Sequence, residues 1–345
     1  MHVVEPAVLD EFARRHAPSG PDFVMHRVVH GGANLTSPCM LDAAVEAEIE
    51  RLRALAPLHN GLALDWIRVA REAFGPEVSQ AACFDTAFYA ELPDAAAHYA
   101  LPKDLSDQFE IRRYGFHGLA HQSMLDQLHA HRGADARRVI SLQLGAGCSV
   151  TATDRGRPVD TSMGFSPLAG LVMATRSGDL DPAIVLHLVT QGGIAPAKLG
   201  RILNESSGLQ GVSGQSGDMQ ALLASDTKDA RLAVAMFCHR ARQYVGAYLA
   251  VLGGADAIVF GGGIGEHAPV IRARLLDHLS WAGIQVDAAR NEAVDAVRGG
   301  PIHVDEMPVE IWVLPTDEGL VMADAARSLL NHGGRCDAPR TRTKI

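Results

Sequence analysis

Three glycine-rich segments and a few isolated cations are the features of this sequence that could do chemistry. In IVFGGGIGEHAPVIRARLL (258–276) an apolar run enters Gly261-Gly262-Gly263-Ile264-Gly265 and continues as a helix. Such a turn presents backbone N–H groups beside the positive end of a helix, a setting suited to an anion or nucleotide. No Gly-Lys-Ser/Thr follows, so it is not a Walker loop, and the acidic residue of a dinucleotide fingerprint is not in place. Alone, the segment reads equally well as a tight packed turn. Gly145-Ala146-Gly147 between two apolar runs is a second candidate for phosphate contact, and GLQGVSGQSG (208–217) is a third, flexible glycine segment.

Arg27 in HRVVHGG, Arg176 in ATRSGD and His117 in YGFHG each sit beside glycine or a strand-like run, where a side chain can point into a cleft. Transfer of a phosphoryl group needs cations and donors around its equatorial oxygens, and arginine supplies a bidentate fork for them. Any one of these arginines can equally be a solvated surface charge, and His117 a satisfied core histidine. His26, His30 and His59 read as structural. Asp85, which follows a buried run in CFDTAF, can be a cleft carboxylate, a helix cap or a turn former, and spacing does not choose among them.

These residues must be held by a mixed α/β framework. Leu41, Val45, Ile49, Leu52 and Leu55 recur at spacings of three and four before Pro57, which predicts an amphipathic helix with a stop. A second helix is expected over 62–74, ending at Gly75-Pro76, then a short buried strand in VSQAACF. RRVISLQLGAGCSVTATDRGRPVDTS predicts a hairpin or three-stranded meander, and Asp181-Pro182 an N-cap with proline in the first turn. A long helix is expected over 229–252, a buried strand at 257–260, a glycine loop, a helix from about Pro269, a strand in VEIWVL and a helix over 317–330. The end, GGRCDAPRTRTKI, reads as a loose tail.

The 345 residues suffice for about two domains. A formal charge of −9, from 31 basic and 40 acidic side chains, argues against a nucleic-acid binder, which needs Lys and Arg to neutralise phosphates. Five singly scattered cysteines suggest neither a disulfide framework nor a zinc site, consistent with a reducing cytoplasm. No signal pattern opens the sequence, and no apolar run approaches the roughly 20 residues of a membrane helix. A soluble, unexported protein is expected.

HRVVHGG (26–32), LAPLHN (55–60), FDTAF (84–88), RRYGFHGLAH (112–121), VDTSMGFSPLAGL (159–171), TRSGDLDPAI (175–184), GIGEHAPVIR (263–272) and LPTDEGL (314–320) resemble the signature blocks of acetate kinases, in the family's order. The resemblance implies a two-domain α/β fold of the actin, sugar kinase and heat-shock (ribonuclease H-like) type, with an interdomain active-site cleft. The expected domains are 1–86 plus 319–345 on the acceptor side and 87–318 on the nucleotide side. It also implies reversible transfer of the γ-phosphoryl group of ATP to acetate or propionate, giving the acyl phosphate and ADP, with Mg²⁺ as cofactor. The family's usual homodimer would follow.

Carried across block by block, Arg27 resembles the carboxylate-binding arginine, Asp85 the acidic residue counted as catalytic, and His117 and Arg176 the transition-state stabilisers. Val29, Leu58, Phe116 and Pro167 match the acyl pocket, and Glu318 the magnesium-holding glutamate. Gln143, Leu144, Gly145, Ala146 and Gly147, then Asp218, Met219 and Gln220, then Gly263, Ile264, Gly265, Glu266 and His267 match the nucleotide contacts. Asp85 is not needed as a base, because a carboxylate acceptor is already ionised at neutral pH, so an orienting role is expected.

The sequence departs from the family in having Gln143 for histidine, Ala146 for asparagine, Gln220 for arginine and His267 for asparagine. Nothing before His26 resembles the family's opening Asn-x-Gly-Ser-Ser-Ser-x-Lys loop and its hairpin. The resemblance therefore implies a truncated first domain with an unpaired sheet edge and impaired magnesium-nucleotide geometry. A degenerate member that binds nucleotide or acyl phosphate with little turnover is the alternative expectation.

Overall fold

The computed structural model describes residues 6–17, 20–56, 59–133 and 136–332. The chain divides into two units, one of Met1–Ala90, Phe116–Leu119 and Glu318–Ile345, the other of Glu91–Gly115 and Ala120–Asp317. Phe116, His117 and Glu318, expected on the nucleotide side, thus belong to the first unit. The physical reason is that the His117 backbone and the Glu318 carboxylate bind partners within that unit. Leu58, Cys336 and the C-terminal tail lie outside the described residues.

In the first unit β1 (Phe23–Val28), β2 (Cys39–Met40) and β3 (Ser79–Phe84) form a sheet in the order β1-β3-β2. Strands β1 and β3 run parallel, with Arg27 opposite Cys83 and Val28 opposite Phe84, so β1 is an edge strand among the described residues. Central β3 buries every residue after Ser79: Ala81, Ala82, Cys83 and Phe84 are apolar, and the Gln80 amide is hydrogen-bonded to His26. The helix Ala43–Arg51 starts where the Asp42 carboxylate accepts the N–H groups of Ala44 and Val45. It places Val45 and Ile49, one turn apart, in a core with Val28, Cys39, Ile67 and Phe84. Ile67 comes from the helix Asn60–Phe74, which ends at Gly75 with φ +85°. The buried Asn60 amide holds the backbone of His30, donating to its carbonyl at 2.9 Å and accepting its N–H at 3.1 Å.

The second unit is built on a six-stranded sheet. Its strands are β4 (Arg138–Leu144), β5 (Cys148–Asp154), β6 (Arg157–Thr161), β7 (Ala257–Gly261), β8 (Gly300–Pro301) and β9 (Glu310–Val313), in the order β6-β5-β4-β7-β9-β8. Of the two expected pairings, the meander β4-β5-β6 forms. Its second turn holds Arg155 and Gly156 at φ +51° and +76°, a positive pair that matches the twist of a hairpin. Strands β4, β7 and β9 are parallel, and all five residues of β7 are buried. The helix Lys228–Leu252 is capped at one end by the Thr227 hydroxyl and stopped at the other by Gly253 at φ +67°.

Two expected glycine loops are helical instead. Residues Gly262–His267 form a short helix directly after β7, because the Glu266 carboxylate turns back to accept the Gly262 N–H at 2.8 Å. Residues Gly208–Ser213 form another, tied down rather than flexible, since Leu209 and Gln210 donate to the carbonyls of Met173 and Ala174. A Cβ on Gly208 would stand 2.2 Å from the Met173 carbonyl, so only glycine fits.

Candidate active site

The first unit gathers Arg27, Asp85, His117 and Glu318. Arg27 is the penultimate residue of β1 and Asp85 the first residue after β3, so parallel pairing sets both at the carboxyl ends of neighbouring strands, the usual place for function in such sheets. Arg27 donates from Nε to Asp85 Oδ1 at 3.1 Å and from Nη2 to Oδ2 at 2.8 Å. Its third nitrogen, Nη1, lies 2.5 Å from Oε2 of Glu318, the first residue of the helix Glu318–His332.

Asp85 is 1% exposed, whereas the Arg27 side chain keeps 35% of its surface open. Burial raises the Asp85 carboxyl above the usual aspartate range, partly offset by Arg27 and by the backbone N–H of His117. Burial likewise raises Glu318, against the pull of Arg27 and with the neighbouring Asp85 charge adding to it. Burial draws the Arg27 pKa down, but the two carboxylates outweigh it and the pKa is raised. One guanidinium thus serves two carboxylates that would otherwise repel each other.

His117 adopts φ +58°, uncommon for a residue with a side chain, immediately before the helix Gly118–Arg132. Gly118 is obligatory: a Cβ there would lie 2.0 Å from the Asp85 carbonyl oxygen. The strained turn and the close approach together aim the His117 N–H at the Asp85 carboxylate. Of the expected acyl-pocket residues in this unit, Val29 is half-buried and Phe116 is 1% exposed, its ring edge against His30 at 5.5 Å between centroids.

The second unit holds Arg176 and Pro167 together, Arg176 Nη1 donating to the Pro167 carbonyl at 2.8 Å. Burial lowers the Arg176 pKa, and no acidic side chain forms an ion pair with it among the described residues. The same unit contains a cavity of about 810 Å³, within the roughly 300–1,000 Å³ of small-molecule sites. Gly145, Ala146, Asp218, Met219, Gln220, Gly263, Ile264 and His267 all line it, so three segments far apart in sequence converge on one hollow.

The remaining expected nucleotide contacts do not line this cavity. Leu144 is fully buried in β4, and Gly147 accepts the Gly145 N–H to close the turn. Gln143 Oε1 accepts from the Thr316 hydroxyl at 3.1 Å. Gly265 packs toward Phe260, and Glu266 accepts the N–H groups of Gly262 and Thr316 at 2.8 and 2.9 Å. Glu266 is a brace of the turn rather than a lining group. Asp218 likewise caps the helix Met219–Leu223 by accepting the Gln220 N–H at 3.1 Å. Sequence reasoning missed Ala174, Leu223 and Val270, which line the cavity as ordinary apolar residues without a distinguishing pattern.

Cys83, Cys148 and Cys238 are free thiols, and these three and Cys39 are buried. Among the described residues no group of three or more His, Cys, Asp and Glu side chains is placed to hold a metal ion, and no helix is long and apolar enough to cross a membrane.

The class of protein follows from comparison with known structures. The fold matches, at a TM-score of 0.86 and 34% identity, an acetate kinase from Porphyromonas gingivalis, over 94% of this chain and 84% of that one. It matches equally, at a TM-score of 0.86 and 36% identity, a propionate kinase from Francisella tularensis subsp. tularensis, over 92% of this chain and 82% of that one. This is the two-domain α/β fold of the actin and sugar-kinase type. An acetate kinase of Chloroherpeton thalassium is 46% identical over 306 residues, 87% of this chain and 73% of the relative. A model of the acetokinase family matches residues 8–324, and the chain belongs to that family.

Proposed function

We propose that this protein transfers the γ-phosphoryl group of ATP to acetate or propionate, reversibly, forming the acyl phosphate and ADP. The observation that carries this reading is family membership together with the Arg27 cluster, in which a part-exposed guanidinium is fixed by a buried carboxylate below it. In this reading Arg27 orients the acceptor carboxylate, and Val29 and Phe116 of the same unit meet its short alkyl end. Arg176 offers its positive charge to the transferred group, and the 810 Å³ cavity of the same unit takes the nucleotide. Asp85 positions Arg27, and no proton needs to be removed from an acceptor that is already ionised.

The donor chemistry fits a hard divalent cation, because the Glu318 carboxylate is a part-exposed oxygen donor whose ion pair, among the described residues, is to the exchangeable guanidinium of Arg27. Glu318 would hold Mg²⁺, with phosphate oxygens and water completing the shell. When bound, the ion would neutralise charge on the phosphates. The half-exposed, uncharged helix Pro182–Thr190 supports a homodimer, since it buries none of its residues and shows Ile184 and Leu186 at 44% and 65% exposure. A cytoplasmic setting accords with the substrates.

The test is formation of acyl hydroxamate from ATP, Mg²⁺ and a carboxylate, run with acetate, propionate and butyrate. Product from acetate or propionate is expected. Absence of product with all three acids, from a folded preparation, overturns the reading.

A further inference from the structure

Among the described residues the largest fully buried side chain is an arginine, and the reaction as described gives it no task. Arg272, in the helix Pro269–Leu276, is 1% exposed. Its guanidinium donates from Nε to Asn291 Oδ1 at 2.7 Å and from Nη2 to the Asn291 carbonyl at 2.7 Å. Nη1 donates to the carbonyls of Gly265 and Glu266 at 2.8 and 2.9 Å. Asn291 is fixed in turn, its amide donating to the Pro269 carbonyl at 2.9 Å. Every acceptor is neutral. Burial pushes the arginine pKa down to about 10, and the one acidic side chain that offsets this, Glu292, is exposed and forms no ion pair with it.

A buried charge without a counter-ion costs several kcal/mol, and an apolar side chain of similar volume would serve packing better. Such a charge is explained when a negative partner arrives from outside. The carbonyls it holds end the Gly262–His267 helix, whose Gly263, Ile264 and His267 line the 810 Å³ cavity. No lysine or arginine lines that cavity, and its one acidic lining residue is Asp218. A polyanion seated there meets no lysine or arginine side chain at its walls, among the described residues.

We infer that Arg272 is a positioning residue that supplies, from behind the glycine turn, the positive field by which this cavity selects the anionic end of a nucleotide. The inference rests on the nucleotide reading of the cavity. The guanidinium holds the turn in shape and offsets the partial negative charge of the Gly265 and Glu266 carbonyls that end it. In a low-dielectric interior that field is screened little by salt.

The experiment measures dissociation constants of adenosine, AMP, ADP and ATP, with magnesium chelated, for the full chain and for Arg272→Gln and Arg272→Lys. In Arg272→Gln the loss of affinity should grow with ligand charge, from within about twofold for adenosine to about tenfold or more for ATP. Arg272→Lys, which keeps the charge and loses the fork, should restore most of the ATP term. A loss equal across the four ligands, or a lysine variant no better than the glutamine variant, overturns the inference and leaves a structural brace. If either variant does not fold, the unmodified chain decides. Its preference for ATP over adenosine should persist at about 0.5 M salt, and collapse of that preference would place recognition on exposed groups instead. Failure of the unmodified chain to bind any of the four ligands would overturn the nucleotide reading itself.

Discussion

Arg27 and Asp85 meet along two hydrogen bonds, at 3.1 and 2.8 Å, which leave the guanidinium nitrogen Nη1 unengaged by Asp85. Glu318 takes that nitrogen in this structure, so under the proposed function an acceptor carboxylate would compete with Glu318 and not with Asp85. Arg27→Ala should therefore reduce kcat/KM by orders of magnitude and also destabilise the fold by about 3 kcal/mol, because Asp85 is left buried without its counter-ion. The double variant Arg27→Ala with Asp85→Asn should recover most of the stability and none of the activity. Urea denaturation and the hydroxamate assay read the two effects separately. A double variant as unstable as the single one would show that the pair does not stabilise by charge compensation.

His30 makes the fold sensitive to acid. Its ring is fully buried, its Nδ1 accepts the Gly32 N–H at 3.0 Å, and burial, aided by the Arg51 charge, lowers its pKa to about 4 from 6.5. The unfolded chain therefore binds the proton first as pH falls. The contribution of His30 is complete above pH 6.5 and lost as pH falls toward about 4, amounting to about 3 kcal/mol. His30→Gln should flatten stability against pH across that window, measured by urea melts at successive pH values. Parallel profiles for the two proteins would contradict the assignment.

Val29 tests the acyl end of the acceptor site. Replacing it with alanine should move preference from acetate and propionate toward butyrate by a modest factor, since one methylene is worth about 1 kcal/mol. The ratio of kcat/KM values for the three acids measures it. An unchanged ratio would place the alkyl chain elsewhere.

Leu186 tests the apolar helix. Exposed at 65% on a helix whose nine residues include no acidic or lysine or arginine side chain, it suits a twofold contact in which like charges do not meet. Leu186→Glu should convert a dimer to a monomer in light scattering after size exclusion, with the circular dichroism spectrum unchanged. An unmodified chain that elutes as a monomer would remove the proposal.

Much of this was legible before any coordinates. Asp181-Pro182 announces the helix Pro182–Thr190 through a local cap, and the β4-β5-β6 meander follows from alternation and the Arg155-Gly156 turn. The helical state of Gly262–His267 was not, because its cap is a carboxylate four residues downstream working against glycine's low propensity. Arg272 was equally hidden. Three of its four acceptors are backbone carbonyls, and a carbonyl leaves no trace in residue type. The placement of His117 with Arg27 depends on a single positive φ beside an obligatory glycine, which spacing alone cannot reveal.

The discontinuity of the first unit governs the order in which the protein is made. Its sheet and the Arg27–Asp85 pair are synthesised early, whereas Glu318 and the helix it opens emerge only after the whole of Ala120–Asp317. During translation the second unit can complete its sheet while the first still lacks its last helix. Arg27 spends that interval with one carboxylate instead of two. The complete charge arrangement around Arg27 is thus among the last events of synthesis, and a ribosome that stops short of Glu318 releases a chain with a finished second unit and an unfinished first one.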